Sequence, residues 1–162
     1  MIKLLDPADP TGRTLALNNA HETELSWLDA GRLAELTRRA FYACRIGEVD
    51  AFLLAFQQDA DYDSPNFLWF RDRLPRFVYI DRIVVAPEAR GRGYARRLYG
   101  DLFVAARRAG HDQVVCEVNT EPPNPASDAF HLALGFEEVG SAAIHRGAKT
   151  VRYLRRGLSG DP

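Results

Sequence analysis

Ile83-Val-Val-Ala-Pro-Glu-Ala-Arg-Gly-Arg-Gly-Tyr-Ala95 joins an apolar β-rich run to a helix, and its reading decides the fold. The run from Phe77 to Val85 is the clearest strand in the chain, and Pro87 ends it because proline cannot continue a ladder. Tyr94 to Ala109 reads as a helix with an apolar stripe of Ala95, Leu98, Leu102, Ala105 and Ala109, closed by Gly110. Arg90, Arg92, Arg96 and Arg97 crowd onto the N-terminus of that helix. That end already carries about half a positive charge from the helix dipole, so cations there repel it unless an anion sits among them. Gly91 and Gly93 lack Cβ atoms and let backbone N–H groups surround such an anion. A phosphate-like group therefore fits the turn; a solvated basic helix start is the plain alternative. The turn has neither a Walker pattern nor GxGxxG spacing. The RGRG unit occurs once and opens an amphipathic helix, unlike an RNA-binding repeat.

Working outward, Arg13 to Asn19 alternates as a first strand would. Asp29 is a good N-cap for a helix carrying Leu33, Leu36 and Ala40. Phe41 to Glu48 and Ala51 to Phe56 predict a hairpin. A polar loop from Gln57 to Pro65 precedes the aromatic segment Phe67 to Phe70. Gln113 to Val118 is a strand parallel to Phe77–Val85, since a helix crosses between them. A helix from about Pro125 to Leu134 stops at Gly135. Strands near Phe136–His145 and Lys149–Arg155 turn at Arg146-Gly147. The expectation is one mixed α/β domain over residues 1–162, with a mostly antiparallel sheet, a core at about 13–156 and loose ends up to Thr11 and beyond Gly157.

Composition narrows the function. The 162 residues carry a formal net charge of −1, with 46% hydrophobic and 27% charged residues, as in ordinary globular proteins. No global charge calls for nucleic acid or an anionic membrane. Cys44 and Cys116 make no disulfide framework, and no His/Cys spacing fits zinc, so no metal is expected. Asp6 and Asp9 interrupt the first ten residues, which lack the apolar region of a signal peptide, and no run is long enough to span a bilayer. A cytoplasmic protein is expected, with a two-fold homodimer as the commonest oligomer of such chains.

The stretch 83–95 resembles the coenzyme A signature of the GNAT superfamily of N-acetyltransferases. Arg90, Gly93 and Ala95 fall on the defining positions of its Arg/Gln-x-x-Gly-x-Gly/Ala motif. Asn124-Pro-Ala-Ser-Asp-Ala-Phe-His-Leu-Ala-Leu-Gly-Phe136 is similar to the superfamily's Asn…Phe-Tyr-x-x-x-Gly-Phe segment. The resemblance implies an acyl-CoA N-acyltransferase fold in which the two parallel strands splay and admit the pantetheine arm of acetyl-CoA. Backbone groups of Ile83, Val84 and Val85 would pair with that arm and with the acetyl carbonyl. Those of Gly91, Arg92, Gly93, Tyr94, Ala95 and Arg96 would hold the pyrophosphate beside Arg90, and Asn124 and Ser127 would flank the arm.

The implied reaction is direct attack of an amine on the thioester, which needs a base, an oxyanion donor and a proton for the thiolate. Val85 N–H is the candidate oxyanion donor. Glu117 is the candidate base, since Cys116-Glu-Val118 resembles the strand that carries a proposed glutamate base in ribosomal-protein N-terminal acetyltransferases. Here the step from Glu117 to Asn124 is two residues longer. Asp81 is the rival base. His131 stands where the family usually has the tyrosine that protonates the thiolate, and an imidazole can do the same work. Asp59, Asp61 and Asp63 around Tyr62 read as an exposed loop or as a negative lip for a cationic amine, small or peptidic. Ser64 and Phe70 stand where a calcium loop needs Gly and Glu. A non-catalytic acyl-CoA sensor, and an enzyme using another acyl group, are the alternative readings.

Overall fold

The computed structural model describes residues 1–22 and 25–158. In chain order the elements are β1 (Ile2–Leu4), α1 (Arg13–Asn19), α2 (Ala30–Arg39), β2 (Tyr42–Ile46), β3 (Ala51–Gln57), α3 (Pro65–Arg71) and β4 (Val78–Val85). After a short 3-10 turn (Pro87–Ala89) follow α4 (Tyr94–Arg108), β5 (Gln113–Asn119), α5 (Pro125–Ala133), β6 (Glu137–Ile144) and β7 (Lys149–Gly157). The strands form a seven-stranded sheet in the order β1-β2-β3-β4-β5-β7-β6. Its neighbours are antiparallel except for β4 and β5. This is the mixed, mostly antiparallel sheet that the sequence predicts, with the expected parallel pair at its centre.

The core lies on both faces of β3, where Ala51 through Phe56 are each 0% exposed. Ala51, Leu53 and Ala55 pack with Leu98, Leu102 and Ala106 of α4. Phe52, Leu54 and Phe56 pack with Leu33 and Leu36 of α2 and with Phe67 and Phe70 of α3. The period of two along one buried strand thus separates two helical layers, α4 and α5 on one side and α1 to α3 on the other.

The parallel pairing is short. Only Val78↔Val114 and Tyr79↔Val115 are in register, and beyond them the strands part. On its other edge β4 carries a bulge, because Leu54 faces Arg82 while Ala55 faces Ile80, leaving Asp81 as the extra residue. The bulge breaks the alternation, so Asp81 and Arg82 both reach the α1–α3 side. Asp81 Oδ1 accepts from the Tyr62 hydroxyl at 2.6 Å and its Oδ2 from Arg82 Nε at 2.7 Å. The Arg82 guanidinium also donates to Asn18 Oδ1, Ser26 O and Ser26 Oγ. It thereby ties β4 to the segment that follows α1.

Some local expectations are corrected and others completed. Arg13–Asn19 is a helix: Leu15 and Leu17 imitate strand alternation, but the buried positions are Thr14 and Asn18, one turn apart. Its cap is also remote, since the Asp9 carboxylate accepts from Thr14 N at 3.1 Å and Leu15 N at 3.0 Å. The aromatic segment Phe67–Phe70 belongs to helix α3, started by Pro65 at its first turn. The chain start is not loose, because Ile2–Leu4 pairs with β2. From residue 159 on, the expected C-terminal tail lies outside the described residues. The stripe of α4 is rotated as well: Leu98 and Leu102 are buried as expected, but with Tyr99, Phe103 and Ala106 rather than Ala95, Ala105 and Ala109.

One glycine is required by close approach. Gly140, opposite Tyr153 in the β6–β7 ladder, lies under Trp69, and a Cβ there would come within 2.5 Å of the indole. Trp69 in turn stacks on Tyr153 at 4.0 Å between ring centroids. Gly140→Ala is expected to destabilise the fold by about 1–3 kcal/mol through overpacking, lowering the thermal midpoint by roughly 2–4 °C for each of those kcal/mol. Calorimetry of the variant checks this, and an unchanged midpoint would show the indole moving aside at no cost.

Candidate functional site

The parting strands open a cavity of about 1070 Å³ that runs between the two helical layers. Its walls include Ile80 to Val85 of β4, Cys116 to Asn119 of β5, Tyr99 of α4, and Asn124, Ser127 and His131 of α5. On the α1–α3 side they include Ser26, Arg32, Tyr62 and Asn66. One opening therefore brings together the sequence-predicted Ile83, Val84, Val85, Glu117, Asn124, Ser127 and His131.

Backbone direction sorts the β4 residues. Ala86 N–H donates to Asp50 O at 2.8 Å, toward β3. Alternation along the strand then turns Val84 toward β3 and leaves the amide groups of Ile83 and Val85 facing the gap. The expectation that all three backbones are available across the gap holds for Ile83 and Val85, while Val84 is committed to the ladder.

At the end of β4 the chain turns through Gly91 at φ 80° and Gly93 at φ 75°, left-handed conformations that L-residues adopt at a cost. No side chain caps α4, and no acidic residue lies in its first turn. Among the described residues no carboxylate pairs with Arg90, Arg92, Arg96 or Arg97. A second cavity of about 320 Å³ lies on this turn, lined by Val85, Arg90, Gly91, Gly93, Tyr94, Ala95, Arg96 and Phe130. Uncapped N–H groups and positive charge are what would favour an anion there, and this cavity adjoins the gap at Val85 and Arg90. Arg90 Nη2 rests 3.3 Å from His21 Nε2.

Glu117 projects from β5 two residues beyond the last β4–β5 pair, on the α1–α3 side. Tyr79 hydroxyl donates to its Oε1 and Oε2 at 3.0 and 2.8 Å, and Asn66 Nδ2 donates to Oε1 at 3.0 Å. Tyr153, paired with Glu117 across the ladder, donates its hydroxyl to Asn66 Oδ1 at 2.9 Å. Burial, and then the charge of Asp81, push the Glu117 carboxyl up to about 8, against the opposing bonds from Tyr79 and Asn66. Such a carboxyl changes charge near neutrality, as a proton acceptor for an amine must. The rival Asp81 is already occupied on both oxygens by Tyr62 and Arg82.

On the opposite side of the sheet His131 is buried, which pushes its imidazole down from the ordinary histidine range. Nδ1 lies 2.8 Å from Ser127 O, a carbonyl, so it carries the proton; Nε2 then accepts from the Tyr99 hydroxyl at 2.8 Å. Within this pair the hydroxyl hydrogen is spent on Nε2, so the pair turns a hydrogen toward the cavity only when His131 is protonated on both nitrogens. Asn124 caps α5, its Oδ1 accepting from Ser127 N at 3.2 Å.

Tyr79, Asn66, Tyr153 and Tyr99 escaped the sequence reading. Tyr79 sat inside an apolar strand, Tyr99 one position off the assumed helical stripe, and Asn66 between the polar loop and the aromatic segment. Of the acidic loop, Asp63 reaches the cavity rim, 3.9 Å from Arg32, and Asp61 lies 3.8 Å from Arg39. Both are therefore partly neutralised by α2. No group of three His, Cys, Asp or Glu side chains is placed to hold a metal ion, and no helix is long and apolar enough to cross a membrane, among the described residues.

Solved structures share this architecture. The ribosomal-protein-alanine N-acetyltransferase of Brucella melitensis aligns with a TM-score of 0.71 at 21% identity, covering 97% of this chain and 99% of that one. The ribosomal-protein-S18-alanine N-acetyltransferase of Escherichia coli aligns with a TM-score of 0.66 at 16% identity, over 100% and 96%. The yncA protein of Salmonella typhimurium, solved with its cofactor acetyl-CoA, gives 0.71 at 21% identity, over 99% and 95%. Among curated proteins none matches the chain. The sequence profile of the acetyltransferase (GNAT) family matches residues 7–136. With a glycine–arginine anion turn set against a split parallel pair, and that profile over most of its length, the chain belongs to the acetyltransferase (GNAT) family.

Proposed function

We propose that the protein moves the acetyl group of acetyl-CoA to a primary amine, of a small molecule or of a peptide N-terminus, with both substrates in the cavity at once. The observation that carries this reading is that the cavity lined by Glu117 adjoins, at Val85 and Arg90, a second cavity on the arginine–glycine turn. The pyrophosphate would lie on the amides of Gly91 to Arg96. The pantetheine arm would run past Asn124 and Ser127, along the gap-facing amides of Ile83 and Val85. An amine would enter from the α1–α3 side, where Tyr62, Asn66 and Asp63 line the wall.

In the proposed step Glu117 takes a proton from the ammonium group and the freed amine attacks the thioester carbonyl. Val85 N–H stabilises the oxyanion, since a fixed donor costs no reorganisation when charge develops. The carbon–sulfur bond then breaks, and the thiolate takes its proton through Tyr99: His131, once protonated on both ring nitrogens, donates from Nε2 to the Tyr99 oxygen and so frees the hydroxyl hydrogen for sulfur. Two features support this division of labour. The carboxyl that is pushed up lies where a base is needed, and the imidazole that is pushed down parts readily with a proton where a leaving thiolate needs one.

The deciding experiment is release of the coenzyme A thiol from acetyl-CoA with a panel of primary amines and short peptides. Tight acetyl-CoA binding with no thiol release from any amine would replace the enzyme by an acyl-CoA sensor. Because Glu117 must be ionised to act, kcat/KM is expected to rise with pH and to level off above a midpoint of about 8. Glu117→Gln is expected to lower kcat/KM by about 100-fold or more and to abolish that limb. His131→Phe is expected to lower kcat about tenfold or more while the acetyl-CoA Kd, read by calorimetry, stays within about twofold. An unchanged kcat across pH would remove His131 from the mechanism.

A further inference from the structure

Glu117 sits among groups that pull its proton affinity in opposite directions. A carboxyl group in this position is asked to do two opposed things. It must be hard enough to ionise that it holds a proton well, and it must still be ionised when an amine arrives. Burial and the Asp81 carboxylate work against the charged form. The groups that work for it come from three elements packed around the side chain: Tyr79 on β4, Asn66 on α3 and, behind Asn66, Tyr153 on β7.

Each of these is oriented by something else. Tyr79 is 1% exposed, sits in the last register pair before the strands part, and has a hydroxyl whose bonds go to both Glu117 oxygens. Asn66 has its carbonyl oxygen held by the Tyr153 hydroxyl, which leaves its NH₂ directed at Glu117. Tyr153 is held in turn by the stacked Trp69. An ionised carboxylate accepts every one of these bonds. A protonated one has an oxygen fewer to accept with, and its O–H either meets the Asn66 NH₂ or asks Tyr79 to turn from donor to acceptor. The remaining charges nearby, Asp81 with Arg82, are paired with each other, and Tyr62 bonds Asp81 rather than Glu117.

We propose that Tyr79 and Asn66 are positioning residues that hold the Glu117 carboxylate ionised and aimed into the cavity, so that it is ready to take the amine proton. This rests on the reading of Glu117 as the base. The hydroxyl of Tyr79 does not itself exchange a proton with substrate.

The test uses the whole chain with 13C-labelled glutamate. The Glu117 side-chain carboxyl signal, identified by its loss in Glu117→Gln, is followed against pH in the wild type, in Tyr79→Phe and in Asn66→Ala. Tyr79→Phe keeps the ring that fills the core and removes only the hydroxyl. Losing a bond that favours the charged form raises the carboxyl's midpoint, by about one pH unit for a buried group. The kcat/KM–pH limb, measured with the fastest amine of the panel, is expected to move upward with it by the same interval. Asn66→Ala is expected to shift in the same direction. A midpoint unmoved in both variants, with rates lowered equally at every pH, would overturn the proposal and leave the two residues a purely structural role. A midpoint that moves while Glu117→Gln keeps full turnover would overturn the base reading instead, leaving the hydrogen-bonded cradle without a catalytic task.

Discussion

Adjacent parallel strands share hydrogen bonds for every residue they keep in register, and β4 and β5 give these up after Tyr79 and Val115. An unmade backbone bond in a buried place costs about 1–3 kcal/mol, so the parting must be held open by contacts elsewhere. The bulge at Asp81 bends β4, and the buried Arg82 fastens that bend to Asp81, Asn18 and Ser26. On the other flank β5 stays paired with β7 along its whole length, from Gln113 to Asn119. The sheet is thus continuous on both sides of a gap that neither flank can close.

That gap sets the chemistry of its two walls apart. Toward α4 and α5 it is lined by Tyr99, Cys116 and His131, where burial favours neutral groups. Toward α1 to α3 it meets Glu117, Asp81, Arg82 and Tyr62, where charges are paired or hydrogen-bonded. The alternation of β5 assigns the sides: Cys116 and Glu117 are adjacent in sequence and look into opposite layers. A thioester entering between the strands would present its sulfur and its carbonyl to different surroundings, as a transfer between two substrates requires.

Local rules read much of this from the chain. The strand ending at Pro87, the helix opening after Gly93 and the helix from Pro125 to Gly135 announce themselves by breakers, caps and periodicity. They fail where a residue's partner is remote. α1 reads as a strand because its buried face is Thr14 and Asn18, and Asn18 is buried only because Arg82, 64 positions away, needs an acceptor. Tyr99 escapes because a period of 3.6 does not say which side of the stripe is wide enough for a ring.

The sequence by itself determined the anion turn, since four arginines and two glycines at a helix N-terminus are a local electrostatic statement that needs no tertiary partner. Breakers, caps and periodicity, local signals too, determined the order of the elements from α2 onward, α3 apart, and the parallel crossover. The surroundings of Glu117 were decided only by the tertiary structure. Tyr79, Asn66 and Tyr153 come from three separate elements, 38, 51 and 36 positions from it in the chain, and meet it because the sheet brings β4 and β7 to either side of β5 and α3 packs across them. A carboxyl's affinity for its proton is a property of what surrounds it in space, and no stretch of sequence around position 117 contains those neighbours.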